Sequence, residues 1–170
     1  MQTIARELRP PARRHTLDSL MTYDYDELAR MYNAASATQP PVGVLAGRML
    51  AWRGARGVVA GVLRRIALSP AFVWEGKTFT AGGGFNRVQL RGVLGRQALF
   101  PFASRLAPSL FDGKPTIVID YDRADNPPWM RRVHDEIREL EPGLFLGLDL
   151  WRTRDRDRST GLVWFALHAP

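Results

Sequence analysis

Two aspartates lie on apolar, strand-like rows, where a carboxylate is costly to desolvate. Asp120 ends the run Thr116-Ile-Val-Ile-Asp-Tyr121, and Asp149 sits within Leu144-Phe-Leu-Gly-Leu-Asp-Leu-Trp-Arg152. In an extended chain successive side chains point to opposite faces. If Ile117 and Ile119 turn toward a helix layer, Thr116, Val118 and Asp120 face the other way. Asp149 shares with Phe145 and Trp151 the face opposite Leu144, Leu146, Leu148 and Leu150. Burial raises a carboxyl pKa toward neutrality, where it can give and take protons. Pairing of Asp120 with an arginine, and a solvent-side Asp149, are the structural alternatives.

A second cluster, His134-Asp135-Glu136, falls in a segment that reads as a helix. Neighbours on a helix point about 100° apart, so these three side chains do not converge on one atom there. Asp135 then pairs with Arg131 or Arg138 on a solvated face, and His134 faces either solvent or a cavity. The alternating stretch around Trp74-Glu-Gly-Lys77 places Trp74, Gly76 and Thr78 on one face. There the indole walls a cavity beside the space a glycine leaves, or packs in a core next to a bulge.

Other chemistries are excluded or unsupported. The chain has no cysteine, which removes disulfides and thiolate sites. Nucleophile-elbow, phosphate-loop and zinc-protease motifs are missing, and Gly82-Gly-Gly84 precedes a strand pattern instead of a phosphate-binding helix. No metal site and no cofactor are expected. The net charge of +7 rests on arginine, since only Lys77 and Lys114 are lysines. The arginines are interleaved with acids, as in Arg152-Thr-Arg-Asp-Arg-Asp-Arg158, so nucleic acid is not the expected partner.

The elements that must position these residues follow from periodicity. Residues 1–20 read as a flexible N-terminal extension and 21–170 as a single barrel-like domain. Tyr23 to Ala35 has the pattern of an amphipathic helix, Val42 to Trp52 that of a strand, and Gly57 to Leu68 that of a second helix ended by Ser69-Pro70. Strands are expected at 72–80, 85–92, 96–104, 116–121, 144–152 and 161–168, with turns at 81–84, 92–95 and 111–115 and a hairpin loop over 153–160. Pro101 calls for an edge or a bulge. Asn126-Pro-Pro128 followed by Trp129, Val133, Ile137 and Leu140 predicts a third helix. The expected fold is mainly β with α: an antiparallel small barrel covered by two or three helices.

Five blocks, Trp74-Glu-Gly-Lys-Thr-Phe79, Gly84-Phe-Asn86, Asp112-Gly-Lys-Pro-Thr-Ile-Val-Ile-Asp-Tyr121, Asp135-Glu-Ile-Arg138 and Gly143-Leu-Phe-Leu-Gly147, resemble a group of uncharacterised bacterial small-barrel proteins. That group is distantly similar to lipocalin-like (calycin) barrels. Here Phe72-Val73 replaces the calycin glycine before the tryptophan, and the helix at 57–68 is an addition. The resemblance implies a barrel holding a small apolar ligand and carries over no catalytic residue.

Three functions are therefore open. In the first, a cavity binds a small hydrophobic or lipid-like molecule, with walls from Trp74, Phe100, Phe102, Trp151 and Trp164 and polar anchors among Lys77, Asn86, Asp120, Arg138 and Asp149. In the second, the same barrel is an enzyme of lipid or secondary metabolism using Asp120 or Asp149. In the third, residues 53–68 contact a membrane surface or a protein. The expected location is cytoplasmic, peripheral to a membrane in the third case.

Overall fold

A computed structural model describes residues 15–55, 57–68, 73–90, 95–152 and 159–169. Eight antiparallel strands run in simple up-and-down order and close on themselves, β8 pairing with β1. They are β1 (Gly43–Trp52), β2 (Trp74–Thr80), β3 (Gly83–Gln89), β4 (Arg96–Pro108), β5 (Pro115–Asp120), β6 (Val133–Glu141), β7 (Leu144–Arg152) and β8 (Ser159–His168). Closure removes exposed sheet edges. Among the described residues three α-helices accompany them: α1 (Leu17–Leu20), α2 (Tyr25–Ala34) and α3 (Gly57–Leu68).

The apolar residues divide into two cores by strand parity. Leu45, Phe79, Ile117, Ile119, Phe145, Phe165 and Leu167 point into the barrel. Leu144, Leu146, Leu148, Leu150, Trp164 and Ala166 point outward, where Leu20, Leu28, Tyr32 and Ala67 of the helices cover them. This is why β7 reads as apolar on both faces, each buried leucine contributing about 1.5–3 kcal/mol. Capping boxes start both N-terminal helices: Thr16 with Ser19, and Asp24 with Glu27. Residues 17–20, assigned from sequence to the extension, thus form α1 with Leu20 buried in the outer core. Residues 1–14 lie outside the described residues.

The helix expected after Asn126 is a strand. A single 3-10 turn at Met130–Arg132 leads into β6, which pairs with β5 and β7. The spacing Trp129, Val133, Ile137 advances by four, which is a whole number of strand repeats as well as nearly one helical turn, so the stripe fits both periods. Leu140 settles the matter: it packs in the outer core, whereas Val133 and Ile137 pack in the inner one. Asn126 caps no helix; its Nδ2 donates to the carbonyls of Pro101 (2.7 Å) and Tyr121 (2.9 Å).

Two bulges shape the interior. The β2–β3 register shifts between Trp74 and Gly76, and Gly76 takes φ +133°. The shift puts both Trp74 and Lys77 on the cavity side. On β4 the shift falls opposite Gly84 and Asn86, where Phe100 adopts φ +53° before Pro101. Pro101 therefore marks a bulge in a strand that runs on to Pro108, beyond the expected end at 104. The expected boundaries at Ser69-Pro70 and Phe72, the glycine turn at 92–94 and the hairpin loop at 153–158 lie outside the described residues.

Candidate active site

The cavity occupies one end of the barrel. It holds about 270 Å³ and is lined by residues late in β1, β3 and β7 and early in β2, β4 and β6, by Phe165 of β8, and by Tyr121, Trp129 and Met130 from the β5–β6 connection. Val73 and Trp129 are exposed at its mouth. The other half of the barrel is filled by side chains such as Phe79, Phe102, Ile117 and Leu167. Gly47 makes room for the wall: a Cβ there would stand 2.5 Å from the Trp74 ring.

At the floor is a buried polar cluster. Lys77 Nζ donates to Asn86 Oδ1 at 2.9 Å and to the Tyr121 hydroxyl, and forms an ion pair with Asp135 Oδ2 at 2.9 Å. The Tyr121 hydroxyl donates to Asp135 Oδ2 at 3.0 Å and accepts from Asn86 Nδ2 at 3.1 Å. Asn86 Oδ1 also accepts from Trp74 Nε1 at 2.9 Å. The ammonium lies 5.2–5.6 Å from the ring centroids of Trp74, Phe102, Tyr121 and Phe165, so π-faces help replace its lost hydration. Burial, then the Asp135 charge, pushes the Tyr121 hydroxyl well above its ordinary pKa, so it remains a donor.

Two acceptors in this cluster stay open. Asp135 Oδ1 is buried with no hydrogen-bond partner. Asp149, directly across from Asp135 on β7, lines the cavity, and no side-chain hydrogen bond or ion pair joins it to the described residues. Burial chiefly, and Asp135 next, raise its pKa to about 7 against the opposing pull of Lys77. The physical reason is a charge count: one ammonium faces two carboxyls, and like charges this close do not both ionise freely. Near neutral pH Asp149 is therefore poised between acid and base. The remaining lining is apolar: Met49, Val88, Phe100, Val133 and Phe165.

Trp74, Lys77, Asn86, Phe100 and Asp149, expected from sequence, meet in this chamber. Phe102 lies beneath it, its ring facing Lys77. Trp151 packs against the inner core outside the cavity lining. The other three are elsewhere. Ile117 and Ile119 face inward, so Asp120 is on the outer surface, paired with Arg152 at 3.2 Å. Trp164 is under α2, against Tyr25, Tyr32 and Phe111. Arg138 is fully buried outside the barrel, where it stacks over Tyr32, grips both Asp112 oxygens at 2.8 and 2.6 Å and donates to the Tyr32 carbonyl.

The strand also corrects the reading of His134-Asp135-Glu136. None of the three is solvated. Asp135 points inward, and His134 and Glu136 point outward. Glu136 accepts from Ser109 Oγ (2.5 Å), the Leu110 amide (2.6 Å) and the Tyr32 hydroxyl (3.2 Å), tying α2 and the 109–114 turn to the sheet. His134 Nδ1 accepts from Arg152 at 2.5 Å, and its Nε2 lies 3.3 Å from Glu136. A hollow of about 420 Å³ borders His134, Asp120 and Arg152, but these groups satisfy one another. In a larger groove of about 750 Å³ beside Arg53 and Phe111 the two carboxylates, Asp24 and Asp26, are exposed.

Sequence reasoning missed Asp135 and Tyr121 as site residues. Both carried a signal: Ile117, Ile119 and Tyr121 share one parity, as do Val133, Asp135 and Ile137. Among the described residues no group of three or more His, Asp or Glu side chains is placed to hold a metal ion, and no helix is long and apolar enough to cross a membrane.

Comparison with known proteins gives the fold alone. No family model matches the chain, and no curated protein matches it. A crystal structure of a protein from Thermomonospora curvata is similar at a TM-score of 0.55 and 13% identity, over 87% of this chain and 88% of that one. The likeness thus extends across nearly the whole barrel. No lipocalin or calycin lineage is demonstrated at the family level.

Proposed function

We propose that the open end of the barrel is the chamber of a carboxyl-dependent enzyme of lipid or secondary metabolism, with Asp149 as the proton-transfer group. The observation that carries this reading is the open Asp149 carboxyl, its pKa near 7, facing an apolar cavity beside the closed Lys77–Tyr121–Asp135 cluster. Lys77 spends its donors on Tyr121, Asn86 and Asp135, and Tyr121 spends its hydroxyl proton on Asp135, so they position and charge-balance the site. The groups left for substrate are Asp135 Oδ1, which accepts, and Asp149, which donates when protonated and accepts when ionised. The substrate is accordingly an apolar molecule with one hydroxyl or amine donor. By scaling from a cavity of ~150 Å³ that takes benzene, it has roughly ten to twelve non-hydrogen atoms in the enclosed part.

The test is comparative metabolite profiling. Wild type and Asp149→Asn are incubated separately with a small-molecule extract, and mass spectra are compared over time. Depletion of one apolar metabolite and growth of an isomer or hydration-state product with wild type alone supports the reading; identical profiles for both proteins overturn it. The apolar lining also favours a second reading, a carrier for a small hydrophobic molecule. An unaltered molecule extracted in equal stoichiometry from wild type and Asp149→Asn identifies the carrier.

A further inference from the structure

The connection between β1 and β2 contains no acidic residue: residues 53–73 include Arg53, Arg56, Arg64 and Arg65 and not one carboxylate. An acid-free run also occurs at 76–111, with Lys77, Arg87, Arg91, Arg96 and Arg105, so what sets 53–73 apart is the apolar stripe that its arginines accompany. Its helix, α3, packs beside β1 and buries Ala67 in the outer core. Among the described residues nothing covers the opposite side. Val58 is 84% exposed, Val59 59%, Val62 52% and Ile66 50%, and at i, i+1, i+4 and i+8 they form one stripe. Arg53 and Arg65 are exposed as well.

The topology fixes where this stripe lies. β1 ends and β2 begins at the cavity end of the barrel, so α3 belongs to that end, as do the exposed Val73 and Trp129 at the mouth. An apolar stripe, an arginine-only flank and an exposed indole at one end match the surface of a bilayer containing anionic lipid. The apolar side chains enter the acyl boundary and the arginines meet headgroup phosphates.

We propose that α3 docks the barrel, mouth first, on anionic membrane surfaces. A protein partner would have to match both the stripe and the exposed Arg53 and Arg65; an anionic bilayer does so without specific shape. The docking stands apart from the chemistry of the chamber and does not depend on it.

Flotation of the full chain with vesicles of phosphatidylcholine alone and with 30% phosphatidylglycerol tests it. The expected result is flotation with the anionic vesicles only, lost in 0.5 M salt and in Val58→Asp/Val62→Asp. Arg53→Gln and Arg65→Gln should each weaken partitioning about fivefold, corresponding to about 1 kcal/mol for each basic residue near such a surface. All three variants alter exposed positions, and thermal melts matching wild type confirm that they fold. No flotation with either vesicle, equal flotation with both, or undiminished flotation of the variants overturns the proposal. So does a dimer in solution that Val58→Asp/Val62→Asp dissociates, since a second copy then covers the stripe.

Discussion

Asp135 and Asp149 stand directly opposite one another on neighbouring strands, both on the inner face, with the ammonium of Lys77 2.9 Å from Asp135. Directly paired strand residues have Cβ atoms about 4.5–5.5 Å apart. One cation therefore serves two carboxyls, and the second is left to titrate near neutrality.

Removing that cation isolates its role. Lys77→Met leaves Asp135 buried without its counter-ion and should destabilise the fold by about 3–5 kcal/mol, as for other broken buried pairs. Adding Asp135→Asn should restore part of the loss. Urea denaturation of both variants checks this, and an unrecovered double variant contradicts it.

The raised pKa of Asp149 also sets a pH dependence. The folded state holds its proton to about pH 7, whereas the unfolded chain releases it near the ordinary value of 3.8. Between those values the folded state binds more protons, so this group's contribution to stability falls as pH rises. Asp149→Asn abolishes the decline. The stability difference, variant minus wild type, should increase from pH 4 to pH 7 in parallel denaturant titrations.

Arg138 holds the fold from outside the chamber. Arg138→Ala leaves Asp112 and the Tyr32 and Pro115 carbonyls without their donor, and should cost about 3–5 kcal/mol. Burial alone would raise the Asp112 pKa, but hydrogen bonds from Arg138 hold it below its ordinary value. That contribution is present above the unfolded pKa and is lost as pH falls through the folded one. In Arg138→Ala the corresponding acid-side loss of stability should shrink, the Lys114 amide still donating to Asp112, while the NMR signals of the chamber residues remain.

Gly76 enforces the bulge that aims Lys77. Its φ is +133°, and a Cβ would meet the Leu45 carbonyl oxygen at 2.1 Å. Gly76→Ala should destabilise by more than about 2 kcal/mol, and an unchanged melting temperature would contradict the bulge geometry.

Much of the barrel was legible in the sequence because hairpin turns and alternation are local signals. β7 is an example: its leucine row and its Phe145, Asp149, Trp151 row occupy opposite faces, as expected. β6 was not legible, because a spacing of four suits strand and helix alike and its charged residues imitate a solvated helical face. Their burial makes sense only with partners distant in sequence: Lys77 for Asp135, Asp112 for Arg138, Arg152 for His134. The same limit reversed β5, where the turn of Asp120 to the outside depends on which face α2 covers.

The most direct measurement is the titration of the Asp149 carboxyl, followed by carbon-detected NMR and assigned with Asp149→Asn. A midpoint near pH 7 that falls in Asp135→Asn and rises in Lys77→Met is the predicted result. An ordinary midpoint near 4, unmoved by either substitution, would contradict a poised proton-transfer group in the barrel.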